Sequence, residues 1–392
     1  MEYPLAGIRV LDFSRVLAGP FAGRMLSDLG ADVIKVEPPE GDVTRYWGKE
    51  IARIPGYYHQ QNAGKRNVCI DLRAAGAVEL VQQLVAQADI LIENYRPDVM
   101  DRLGIGYDSL RQVNPRLIML SISGFGRSGP EARRPAYAPV IHAEAGLIDR
   151  LATRSGSPHH DLPLSVADTN ASLHGLVAVL SAVILRQRTG LGQHIDIAMI
   201  DATIATDDQV HYDLEDAHDT GPLPNQVWDT PCGPVLVSTD FRLLWKLLTT
   251  ELGVVDPSNP AMPLAEKIAV RRAAAHAFMQ TLDTWEKLAA TMDQLNIAWG
   301  EVRNAANLHD QPSVKARNSI AWISDREGGT RPVTQSPYRF SNAMSGVRGP
   351  AAHRGEHNLE VLGEWLDLTP ERIIHLSEAG VLLEDANNQN NN

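Results

Sequence analysis

The sequence predicts an α/β protein: a parallel sheet covered by helices, with a smaller second domain. Three observations carry this. Short apolar runs alternate with helical patterns along the first part of the chain. The strands among them are near-continuously apolar, as buried parallel strands are. At 392 residues the chain exceeds what one hydrophobic core usually organises, which calls for two domains.

The elements follow in order. RVLDFSRVLAGPFAGRMLSDLGADVIKVEPPEGD reads as strand (8–13), glycine-bearing turn, helix (21–29) and second strand (31–36). Pro20 suits a first helical position. Helical spacing of Val78, Leu80, Val81, Leu84 and Val85 predicts a helix over 76–86. Strands are expected at 89–92 and 117–122. A long helix carries Leu173, Leu176, Val177, Leu180, Val183 and Ile184, and Gly190 and Gly192 mark its end. Alternation over 194–198 predicts a further strand. A charged, then Gly/Pro-containing stretch at 213–226 reads as a linker, 227–323 as a small domain with a strand at 235–239, and 324–348 as a return linker. Helices at 359–366 and 370–379 close the chain onto the first domain (1–212 with 349–392). The polar ANNQNNN end reads as a disordered tail.

Composition narrows the function. Hydrophobic residues make up 44% and charged residues 21%, ordinary for a soluble globular protein. A net charge of −12 opposes nucleic acid or an anionic membrane as partner. Cys69 and Cys232 form no C-x-x-C pair, which argues against a zinc site or disulfide framework and suits a reducing cytoplasm. The N-terminus lacks a basic region followed by an apolar run, and no stretch approaches the roughly 18 apolar residues of a membrane span. His142, His159, His160 and His174 show no metal-ligand spacing, so no metal is expected. Neither G-x-S-x-G nor a Walker A sequence occurs.

Several residues are candidates for chemistry. The first turn offers Ala18-Gly19-Pro20 and Ala22-Gly23 in place of G-x-G-x-x-G, so Glu37 at the end of the second strand has no complete dinucleotide fingerprint to serve. Asp168, in PLSVADTNASLHG, stands at a helix start, where Asp is ordinarily a cap. There it is also a nucleophile that needs no base, since a carboxyl of reference pKa about 3.9 is ionised at neutral pH. Tyr137 lies in RRPAYAPVIHAEAG; a tyrosine there is ordinarily half-buried with its hydroxyl satisfied. Arg133 and Arg134 beside it are surface charges or a carboxylate clamp, the latter pointing to a small dicarboxylate such as succinate. Lys65 and Arg66 precede a strand; Asn94, Tyr95, Arg96 and Arg102 follow one, where ligands bind in open α/β sheets. Basic residues there suit a polyphosphate, and surface loops equally.

Together, RVLDFSRVLAGPFAGRMLSDLGADVIKVE, NAGKRNVCIDL, ADILIENYRPDVMDRLG, NPRLIMLSISGFG, ADTNASLHG, RQRTGLGQHIDIAMIDA and the late YRFS…RGPAAHRGEHNLEVL resemble, over nearly the whole chain, the class III CoA-transferases, the family of formyl-CoA and carnitine CoA-transferases. The resemblance implies a Rossmann-like large domain, an α+β small domain and an interlocked homodimer of two ring-like chains. It implies that Asp168 and Tyr137 are catalytic. It places coenzyme A contacts at Val16, Leu17 and Ala18, at Leu72 and Arg73, at Asn94, Tyr95 and Arg96, at Arg102, and at Ala136 and Ala138. It implies acyl-CoA and small carboxylate substrates and no prosthetic cofactor. In that chemistry the aspartate takes the acyl group as an anhydride, then takes CoA as an aspartyl thioester. Amides such as those of Thr169 and Asn170 would face the developing charge.

The family also includes α-methylacyl-CoA racemases, whose catalytic histidine falls at about Tyr137. A phenol is a poor partner for proton exchange at the α-carbon; His142, close in sequence, keeps a racemase as the alternative. The region DTPCGPVLVSTD lacks the glycine-rich loop of formyl-CoA transferase, and Ala138 replaces its glutamate, which argues against formyl-CoA and oxalate. An NAD-linked oxidoreductase would need the missing glycines. A non-catalytic CoA-binding protein would need Asp168 to be only a cap.

Overall fold

The computed structural model describes residues 1–217 and 225–385; part of the expected linker and the polar tail at 386–392 lie outside the described residues. The chain forms two compact units, Met1–Asp207 with Lys315–Asn392, and Asp208–Val314.

The first unit is built on six strands: β1 (Arg9–Asp12), β2 (Asp32–Glu37), β3 (Arg66–Cys69), β4 (Ile90–Glu93), β5 (Ile118–Ser123) and β6 (His194–Ala198). The helices that frame the site are α1 (Ala18–Asp28), α2 (Ala77–Gln87), α3 (Ala138–Glu144), α4 (Val166–Thr189) and α5 (Met199–Thr206). All six strands are parallel, in the order β3-β2-β1-β4-β5-β6. The chain therefore runs outward from β1 on one side and restarts on the other at β4. The crevice between the carboxyl ends of β1 and β4 is the topological switch point where such sheets bind ligands.

Successive strand residues feed opposite faces. Leu11, Ile34 and Val68 pack with Leu80, Val81 and Leu84 of α2 and with Leu362 and Trp365 of the late helix Asn358–Leu366. Val10, Val33, Ile90, Ile118 and Leu120 pack with Met25 and Leu26 of α1 and Ala167, Ala171 and Val179 of α4. Small residues bring α4 close: a Cβ on Gly175 would lie 3.0 Å from a Leu120 methyl. Contrary to the expectation that no stretch suits a membrane span, α4 is long and apolar enough by length and composition. Its buried face lies on this sheet.

Three other expectations are corrected. Pro20 is the third helical residue, because α1 starts at Ala18. The second unit has strands Gln226–Thr230, Gly233–Val237 and Trp299–Glu301 in one antiparallel sheet, where one strand was expected; of the three, only Gly233–Val237 contains a continuous apolar run, Val235-Leu236-Val237. The hairpin Ile320–Ser324/Thr330–Thr334 straddles the expected boundary at 323 and belongs with the first unit.

Candidate active site

The switch point is closed by a reciprocal pair of hydrogen bonds. Arg15 N–H donates to Asn94 Oδ1 and Asn94 Nδ2 donates to Arg15 O, both at 2.7 Å. Above this seam lies a cleft of about 320 Å³. Arg15, Val16 and Ala18 line it after β1, Asn94, Tyr95 and Arg96 after β4, and Ser123 and Gly124 at the end of β5. Ala136 and Tyr137 enter just before α3, and Asp168 and Met199 from α4 and α5.

The first wall is held in an unusual backbone. Val16 has φ 69°, a left-handed conformation that costs a non-glycine residue about 1–2 kcal/mol. Its N–H donates to Asp42 at 3.1 Å. Asp42 also accepts from the Thr44 amide and hydroxyl and pairs with Lys35 at 3.3 Å, while Lys35 donates to the Ser14 carbonyl. Below it, Lys65 Nζ reaches Asp12 Oδ2 at 2.7 Å, Pro20 O at 2.8 Å and Asn62 Oδ1 at 2.9 Å. Burial lowers its pKa to about 8. Lys65 is thus an internal prop of the turn, and Arg66 is spent on Asp32, Glu360 and Glu364; neither is free for a polyphosphate. Glu37 is internal as well, bound to Arg45 and Asn67.

Asp168 sits in the first turn of α4, not at its cap, which is Ser165; the reading of a simple cap is corrected. It is 7% exposed. Burial raises its pKa to about 6, against the opposing pull of the Ala18 and Ala138 backbone amides and of His142. Burial thus outweighs the helix N-terminus, whose dipole favours the ionised form. The Thr169 amide expected to face developing charge is already bonded to Ser165 O at 3.2 Å; besides its own amide, the amides directed at the carboxylate are those of Ala18 in α1 and Ala138 in α3. Ser172 Oγ, one turn on, donates between the Ala18 and Asp168 carbonyls at 2.5 and 2.8 Å, pinning α4 to the turn.

The structure brings Val16, Ala18, Asn94, Tyr95, Arg96, Ala136, Tyr137 and Asp168 into this one cleft. It does not bring Leu17, Leu72, Arg73 or Arg102 to it. Leu17 is buried as the cap residue of α1, and Leu72 packs on the core. Arg73 pairs with Asp71 and Glu40, and Arg102 turns back to the Asp98 carbonyl. Ala138 contributes its amide rather than its side chain. Tyr137 is 65% exposed, not half-buried. Arg133 pairs with Asp98; Arg134 lines the cleft and pairs with Glu131 and Glu144 through exposed contacts, so of the two expected arginines only Arg134 reaches the site.

Three residues at or near the site, Arg15, Ser123 and Tyr57, are not among those the sequence singles out. Arg15, like the expected Arg96, lines the cleft and makes no ion pair among the described residues. The Ser123 hydroxyl is buried without a partner. Tyr57 lies within electrostatic reach of Asp168; burial first, then that carboxylate, raises its phenol to about 12. His142 is buried with both ring nitrogens engaged and offers no base to the cleft. Among the described residues no cluster of His, Cys, Asp and Glu could hold a metal.

A Rossmann-type sheet with a buried carboxylate at its switch-point cleft defines an α/β enzyme of the nucleotide-binding kind. The model of CoA-transferase family III matches residues 5–358, so the chain belongs to that family and is a class III CoA-transferase. It is 33% identical to the succinate–glutarate CoA-transferase of Agrobacterium fabrum, covering 92% of this chain and 95% of that one. It is 30% identical to the succinyl-CoA–L-malate CoA-transferase beta subunit of Chloroflexus aurantiacus, covering 97% and 98%. The crystal structure of a CAIB/BAIF family protein from Brucella suis superposes with TM-score 0.77 at 31% identity, covering 93% and 100%.

Proposed function

We propose that the chain moves CoA from an acyl-CoA thioester to a small carboxylic acid through Asp168, as a cytoplasmic homodimer. The observation that carries this is the buried Asp168 carboxylate in the cleft, faced by the Ala18 and Ala138 amides. An Asp168 oxygen attacks the thioester carbonyl, the C–S bond breaks, and CoA leaves as thiolate. The thiolate then attacks the aspartyl carbonyl of the anhydride, releasing the donor acid and leaving aspartyl-CoA. The incoming carboxylate runs both steps in reverse. One activated acyl bond is exchanged for another throughout, so no ATP is consumed.

Carboxylates are weak nucleophiles, so placement must do much of the catalysis, and held reactants can contribute roughly 7–11 kcal/mol. Amides fixed by the backbone stabilise charge on the attacked carbonyl without reorganising. Arg15 and Arg96 are the cations for the CoA phosphates, and Tyr137 meets the acyl end. A small dicarboxylate is the acceptor class, supported by the names of the Agrobacterium and Chloroflexus relatives.

Incubation with succinyl-CoA and hydroxylamine tests this. A hydroxamate on Asp168, found by peptide mass spectrometry only when acyl-CoA is present, is expected; label on another residue overturns the assignment.

A further inference from the structure

The first amides of a helix have no acceptor within it. At α4, Ser165 occupies the cap position without lending a side-chain acceptor. The Ala167 amide, immediately before Asp168, donates instead to His142 Nε2 at 3.3 Å. A ring nitrogen that accepts carries no proton, so the proton is on Nδ1, which donates to Asp161 Oδ1 at 2.8 Å. Asp161 thereby selects the tautomer that can hold the helix. His142 is 1% exposed. It lies on α3, one turn beyond Ala138, whose amide faces Asp168.

We propose that His142, held by Asp161, is a positioning residue that caps α4 from outside the helix and sets the aim of Asp168. This rests on Asp168 being the nucleophile. The bond joins the two helices that form the catalytic end of the cleft: α3 brings Tyr137 and the Ala138 amide, α4 brings the carboxylate. The ring touches no reacting atom. Its effect is to stop the first turn of α4 from rotating or fraying, which a 3.3 Å bond adjacent to the nucleophile can do and a distant packing contact cannot. A buried histidine that merely satisfied its own nitrogens would leave turnover unchanged when replaced by another folded side chain.

The test uses full-length His142→Leu, His142→Gln and Asp161→Ala. Leucine fills space without an acceptor. Glutamine restores both bonds, its carbonyl accepting from Ala167 and its NH2 donating to Asp161. His142→Leu is expected to lower kcat roughly 10- to 100-fold, the scale of a small misplacement of reacting groups. The KM for acyl-CoA should stay within about twofold of wild type, while hydroxylamine labelling of Asp168 falls in step. His142→Gln is expected to recover most of kcat. A folded His142→Leu with wild-type kcat overturns the proposal, as does a glutamine variant no better than leucine, or a rise in KM at constant kcat. If His142→Leu does not fold, Asp161→Ala decides: a smaller fall in kcat at unchanged KM supports the proposal, and no change overturns it. Wild-type protein that never labels Asp168 overturns the nucleophile reading and this one with it; normal labelling with an indifferent His142→Leu removes only the positioning role.

Discussion

At the scale of single residues, Asp168 sets function against stability. Its folded pKa of about 6 stands above the ordinary 3.8. The folded protein therefore keeps this proton over a range where the unfolded chain has lost it. That contribution stabilises the fold below about pH 4 and is lost as pH rises through about 6, leaving at neutral pH a cost on the order of 2–3 kcal/mol at 1.36 kcal/mol per unit. Asp168→Asn should thus abolish CoA transfer yet raise the thermal midpoint at pH 7.5, with the gain vanishing at pH 4. Calorimetry at both pH values checks it, and a midpoint lowered at pH 7.5 would show that the carboxylate is held favourably. The same titration governs rate. Because the nucleophile must be ionised, kcat/KM should fall on the acid side of about pH 6, read from a pH–rate profile of the wild type.

At the scale of elements, the turn between β1 and α1 is carved by buried charges rather than by a phosphate loop. Gly23 gives the clearest case: a Cβ there would lie 2.7 Å from Asp12 Oδ2 and 3.2 Å from Lys65 Nζ. The glycine exists to let α1 pack over an ion pair. Lys65→Ala should leave Asp12 buried without its cation, a loss of about 3–5 kcal/mol, measured by urea unfolding; a loss below about 1 kcal/mol would return Lys65 to a ligand role. Asn94→Ala removes both bonds of the seam to Arg15 and should raise the KM for acyl-CoA more than it lowers kcat. The strand–turn–helix was legible in the sequence because apolar runs and period report burial directly. Gly190 likewise was legible as a helix end, and it caps α4 with φ 76°. The partners of Lys65, Arg66 and Glu37 were not legible, since a charge shows neither its depth nor its partner in the chain. His142 was legible only as a neighbour of Tyr137; its bonds cross 19 and 25 residues, a distance no local pattern spans. The family motif located Asp168 but not its place inside the first turn, nor the two amides facing it from other helices.

At the scale of the whole molecule, α4 is apolar on two faces, and among the described residues only one is covered. Ala171, Gly175, Val179 and Ala182 are buried. Leu173, Val177 and Ile184 remain 45%, 64% and 60% exposed, at spacings of four and seven residues that place them on one stripe. Exposed apolar stripes mark interaction surfaces, and a second copy of this chain is the occupant the proposed homodimer supplies. A protein carrying a net charge of −12 is repelled from anionic lipid, which argues against a bilayer as the alternative cover. Placing like charges in the stripe should therefore keep newly made copies from assembling. The double variant Leu173→Asp, Val177→Asp is expected to elute at the mass of one chain in light-scattering chromatography, and the wild type, on the proposed homodimer, at two. Its second face leaves the sheet contacts untouched, so its far-UV circular dichroism should match wild type. A variant that stays dimeric would remove the stripe from the interface, and wild-type protein that floats with anionic vesicles would assign it to lipid instead.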